Sequence, residues 1–169
     1  MAESRNEAAA PPPPRAEQAV RVTRTIRASR HRVYRAWTDP ELLMRWFIEP
    51  DGDMRVVEMD LRAGGRYRLE GRIGDKPWAV WGVYREVTPP SKLVYTWSWE
   101  NDPALGEPLA SGSVVSVEFH ERGSETEVVV THEGFATERA RAEHNAGWIG
   151  CLDRFAAVAE QSESEKEKR

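Results

Sequence analysis

The chain carries four histidines and one cysteine, and their spacing decides what chemistry is open to them. His31 falls on the polar face of a predicted helix, and His120 is out of phase with Val115, Val117 and Phe119 in a predicted strand. Both are expected to meet solvent. His132 is in phase with Val128 and Val130, and His144 lies on the apolar stripe of a helix, one turn before Trp148. Both of these are expected to face the interior. An inward histidine is either a core residue with a hydrogen-bonded partner or a polar anchor that orients a guest. His132, His144 and Glu133, which stands beside Gly134 at a strand end, are the candidates for acid–base catalysis.

Nucleophilic and metal chemistry find less support. Cys151 follows His144 on the same helix face but about 10 Å along the axis, too far for direct activation, and reads as packing. There is no His-x-x-x-His, no second cysteine, and no carboxylate in phase with both inward histidines, so no metal and no cofactor are expected. Gly64-Gly65 makes a turn without the following helix that would cradle a phosphate.

Seven tryptophans are the unusual feature of the composition. Rings in this number either fill a core with rigid plates or line a cavity. The candidates for binding a small hydrophobic or aromatic molecule come from several elements. Trp37, Trp46 and Phe47 belong to two short helices; Tyr67, Leu69, Trp81, Tyr95, Trp97, Phe119 and His132 belong to strands; Phe135, His144, Trp148 and Leu152 precede or lie on the last helix.

The elements that must position these groups follow from hydrophobic period. Val20, Val22 and Ile26 alternate with polar residues as a strand. Ser29 precedes a helix with Val33, Ala36 and Trp37 on one face, and Asp39-Pro40 supplies the cap and first residue of a second helix. Strands are predicted over 54–59, 66–73, 78–87, 93–99, 114–120 and 126–132, separated by turns rich in Gly, Pro and Asp. The last helix runs from a cap at Thr137 to about Glu160, with an apolar stripe through Ala140, His144, Trp148, Cys151, Leu152, Phe155 and Ala159. The predicted fold class is α+β: a curved antiparallel sheet of six or seven strands, wrapped around a long C-terminal helix.

The totals bound the rest. A chain of 169 residues suits one domain, expected over 18–160. Residues 1–17, with four consecutive prolines, are expected to form a disordered leader, and 161–169 a solvated tail. The loop over 101–112 has the length and composition of a lid. A net charge of -4 argues against nucleic acid as partner. No signal peptide and no apolar run of spanning length is present, and a single cysteine allows no intrachain disulfide, so a cytoplasmic protein, monomer or homodimer, is expected.

The run from Ala36-Trp37-Thr38-Asp39-Pro40-Glu41-Leu42-Leu43 to Met44-Arg45-Trp46-Phe47 resembles the signature helix of the activator of heat-shock protein 90 ATPase homologues, within the START-like (SRPBCC) superfamily. Three further stretches resemble that family in its own order: Gly64-Gly65-Arg66-Tyr67 to Glu70, Pro89-Pro90-Ser91-Lys92-Leu93-Val94-Tyr95-Thr96-Trp97, and His144-Asn145-Ala146-Gly147-Trp148. The resemblance spans about residues 20–158 and implies the helix-grip fold. It also implies three kinds of function: binding of a hydrophobic molecule in a stress or secondary-metabolism setting, polyketide-cyclase-like or hydrolase-like catalysis, or a co-chaperone surface for heat-shock protein 90.

Overall fold

The computed structural model describes residues 19–49, 52–100 and 113–167, with side chains through Gln161. The expected leader over 1–17 and the expected lid over 101–112 lie outside the described residues.

The order is β1 (Val20–Ile26), α1 (Arg30–Thr38), α2 (Pro40–Trp46), β2 (Asp53–Met59), β3 (Arg66–Ile73), β4 (Lys76–Thr88), β5 (Lys92–Glu100), β6 (Ser113–Arg122), β7 (Glu125–Glu133) and α3 (Glu138–Glu167). Strands β2 to β7 form an antiparallel meander, and β1 joins its far edge by pairing with β7, giving the order β1-β7-β6-β5-β4-β3-β2. Register shifts between Val56 and Glu58, and between Tyr84 and Glu86, place bulges in β2 and β4. Each inserts a residue on one strand and bends it, which curves the sheet around the helices. This is the α+β helix-grip architecture that the pattern predicts.

Local chemistry explains the helices. The Asp39 carboxylate accepts the Glu41 N–H at 3.0 Å, and Pro40 opens α2 with its φ already helical. The end of α2 is held by α3: the Arg154 guanidinium donates to the Trp46 carbonyl at 3.0 Å and to Glu49 at 3.0 Å. A cation at a helix C-terminus satisfies orphan carbonyls and opposes the dipole. At its own start, α3 is capped by Thr137, whose hydroxyl accepts the Ala140 N–H at 3.1 Å.

One expectation on length changes. Helix α3 runs to Glu167, seven residues past the expected end, through the stretch expected as a frayed tail. Glu and Lys are good helix formers, and extending an existing helix gains a hydrogen bond for each residue fixed.

Rings join the core elements. Trp37 packs on Trp46 at 4.7 Å and on Phe155 at 5.0 Å, and stacks on Trp148 at 6.0 Å, so α1, α2 and α3 meet ring to ring. The Trp46 indole N–H donates to the Ala36 carbonyl at 2.8 Å, tying α2 to α1.

Candidate functional site

Among the described residues, two spaces open between the helices and the inner sheet face. The first lies under α2 and is a remnant of about 30 Å3, walled by rings that include Trp37, Trp46, Tyr67, Tyr95 and Trp97. A space of that size holds one or two waters and no organic guest. Leu43, Met59 and Tyr84, absent from the sequence expectation, complete its wall. The second is a crevice of about 280 Å3 between the N-terminal half of α3 and the inner ends of β3 and β5. Its walls are mostly apolar: Phe47, Ile48, Ile73, Trp97, Trp99, Ala146, Gly147 and Trp148.

The residues expected to share one cavity therefore divide. Phe47, Trp97, His144 and Trp148 line the crevice. Trp37, Trp46, Tyr67, Leu69 and Tyr95 wall the small inner space, together with Phe47 and Trp97. Phe119, His132, Phe135 and Leu152 are buried in the core and line neither.

Trp81 requires a correction. It is 40% exposed, because Trp78, Val80 and Tyr84 take the inward phase of β4 and leave Trp81 on the outer face opposite Arg68 and Ser98. Glu133 is exposed at the last residue of β7 and does not line the crevice. Several lining residues escaped the sequence reading, chiefly Ile48, Ile73, Glu143 and Gly150. For Ile73 a signal existed, since it shares the phase of Tyr67 and Leu69. Its position at the end of β3 brings it to the crevice.

Trp99, His144 and Trp148 of the crevice wall belong to a hydrogen-bond network that continues into the core through His132 and Ser113, and its protons can be placed. An indole nitrogen can only donate. The Trp148 Nε1–H donates to His132 Nδ1 at 3.1 Å, so that nitrogen carries the lone pair. A neutral His132 then holds its proton on Nε2, 3.1 Å from Ser113 Oγ, and Ser113 donates onward to the Trp97 carbonyl at 2.7 Å. His144 has the opposite tautomer. The Trp99 Nε1–H donates to its Nε2 at 2.9 Å, which puts its proton on Nδ1, 2.7 Å from the Ala140 carbonyl.

Neither ring keeps a free lone pair for proton abstraction. Burial holds His132 well below the ordinary histidine range, and the neighbouring His144, with ring centres 5.3 Å apart, lowers it further. On the crevice wall, burial pushes the Cys151 thiol up to about 11, although the Arg154 guanidinium beside it opposes the rise. A thiol so placed is a weak nucleophile at neutral pH. The tyrosines of the inner space are raised by burial as well, Tyr67 well above the usual phenol range.

One polar group on the crevice wall is unsatisfied. Trp97 Nε1 is buried without a hydrogen-bond partner among the described residues, as is Trp78 Nε1 nearby. Leaving a buried donor unpaired costs about 1–3 kcal/mol.

Among the described residues no helix is long and apolar enough to cross a membrane. Residues 27–160 match the family described as Activator of Hsp90 ATPase homolog 1-like protein. No curated protein matches the chain. Among solved structures, protein CV1439 from Chromobacterium violaceum is 25% identical with a TM-score of 0.76, over 85% of this chain and 98% of that one. Protein NE0264 from Nitrosomonas europaea is 24% identical with a TM-score of 0.68, over 88% and 98%. CalU16 from Micromonospora echinospora is 24% identical with a TM-score of 0.61, over 87% and 79%. The last two likenesses speak for the fold alone.

Proposed function

We propose that this chain, which belongs to the family of Activator of Hsp90 ATPase homolog 1-like proteins, binds a small apolar or aromatic molecule in the crevice beside α3, for transport, sequestration or sensing. The observation that carries this reading is the crevice itself, an open, ring-lined space of about 280 Å3 at one end of the helix. Ligand sites are typically concave and mostly apolar, with few polar groups, and this volume stands near the lower end of their range.

The helix leaves room for a guest. Gly147 lies within α3, where glycine costs about 1 kcal/mol relative to alanine, and among the described residues nothing stands within 4 Å of where its Cβ would be. No close packing requires that glycine. Its effect is to keep the crevice wall low beside Trp148. Each 100 Å2 of apolar guest surface removed from water is worth about 2.5 kcal/mol before the cost of association.

Binding fits the site better than catalysis does, because the lone pairs of both inward histidines are already engaged by indole donors. The test is a titration of 15N-labelled protein with fluorene and biphenyl, read at the indole N–H signals. Signals of Trp99 and Trp148 should shift. The Gly147→Leu variant, which fills the crevice from the helix side, should lose those shifts while melting no lower than the parent. No shift with either compound, or shifts that survive in Gly147→Leu, would remove the crevice as the site. Shifts confined to Trp81 would instead favour the outer sheet face and a protein-interaction role of the co-chaperone kind.

A further inference from the structure

The tryptophans of this core differ in how their single donor is used. Trp46 donates to the Ala36 carbonyl, Trp99 to His144 and Trp148 to His132. Trp78 and Trp97 are left with buried Nε1 atoms that have no partner among the described residues. Of those two, only Trp97 lines the crevice and the small inner space behind it. Buried polar groups without partners are uncommon in native proteins, and each calls for a reason.

We infer that Trp97 Nε1–H is the donor that orients the guest, and that the guest is an apolar molecule bearing a neutral oxygen acceptor, such as an aryl ketone or a quinone. This inference rests on the binding reading above. Its chemistry is directional: an indole nitrogen donates and cannot accept, so the group that meets it must supply a lone pair. The acceptor is neutral because the wall offers no spare cation. Arg154 is the one cationic side chain among the described residues lining the crevice, and it is committed to Glu49 and to the Trp46 and Phe47 carbonyls. Glu143 adds a second carboxylate to the same wall. A guest carboxylate would lose its hydration there and gain no counter-charge. The donor is covered in the empty protein, so binding requires a ring to give way. Phe47, Trp99 and Trp148 line the crevice and pack on Trp97 at 5.9, 5.6 and 5.4 Å, and one of these rings must yield.

The probes are three molecules of one shape: fluorene, 9-fluorenone and fluorene-9-carboxylate. With the unmutated protein, fluorenone should bind about fivefold more tightly than fluorene, the effect of one net hydrogen bond. The carboxylate should bind more weakly than fluorenone. Fluorenone, and not fluorene, should move the Trp97 indole proton downfield. In Trp97→Phe, which keeps a ring and removes the donor, the preference should fall to about one. Trp78→Phe should keep it. Equal affinities for fluorene and fluorenone, tightest binding by the carboxylate, or a preference that persists in Trp97→Phe while vanishing in Trp78→Phe would each overturn the inference and leave the crevice reading intact. Failure of all three to bind would overturn both. The comparison in the unmutated protein decides the matter even where Trp97→Phe does not fold.

Discussion

Acid should loosen this protein through His132 before its surface carboxylates come into play. The ring is fully buried, accepts the Trp148 indole N–H on one nitrogen and meets Ser113 Oγ with the other. Protonating Nδ1 would set two donors against each other in a pocket that already holds His144. The folded-state pKa is accordingly depressed, by burial first and by His144 second. Once unfolded, the ring regains a pKa of about 6.5. Below that value the unfolded chain takes up a proton that the folded chain refuses, so stability is fully present above about pH 6.5 and is lost as pH falls. One group contributes at most about 1.4 kcal/mol per pH unit, which amounts to about 2 kcal/mol between pH 7 and pH 5 while the folded ring stays neutral. Glu70, Glu100 and Glu138 are lowered by arginine partners from an ordinary value of 4.5, so their effect falls below this window. Urea unfolding followed by far-ultraviolet circular dichroism at pH 7, 6 and 5 measures the loss. His132→Asn keeps an acceptor near the Nδ1 position and cannot titrate, so its stability should change little over the same range. A parent protein whose stability is flat from pH 7 to pH 5, or an Asn variant with the same decline, would refute the reasoning.

Two further outcomes follow from the same core. Trp148 is 4% exposed, stacks on Trp37 and closes the bond to His132, so Trp148→Ala should cost about 3–5 kcal/mol in chemical unfolding. A cost near 1 kcal/mol would mean that the rings rearrange to fill the gap. The Cys151 thiol, with its pKa pushed up to about 11, should react with a disulfide reagent at pH 8 far more slowly than in urea-unfolded protein, because only about one molecule in a thousand carries the thiolate. Equal rates in the two states would show that the thiol is not held in its buried, protonated form.

How much of this was legible in the sequence depends on the range of the interaction responsible. Alternation and turn residues located all seven strands, and the Asp39-Pro40 pair marked the start of α2, because those signals act within a few residues. The inward phase of His132 and His144 was equally local. Trp81 shows where such reasoning fails. In β4 the residues from Trp78 to Val80 are all buried and both Trp78 and Trp81 are large and apolar, so the pattern alone does not say which phase faces the helix. Pairing with the charged outer face of β3, where Arg68 stands opposite Trp81, decided it.

Only the tertiary structure could tell the inner space from the crevice. Rings from α1, α2, β3, β4 and β5 fill the first almost completely, a result of how closely the curved sheet approaches the helices. The second exists because the end of the β3–β4 hairpin and the link after α2 stand apart from Gly147 on α3. The occupancy of the histidine lone pairs is likewise non-local. Trp99 and His144 are 45 residues apart, and nothing in either segment announces that one indole hydrogen will end on that nitrogen. Sequence determined which residues are apolar, inward and ring-bearing, since period and residue type carry that information. Packing across distant elements decided which of them touch, which donors are used, and where space remains.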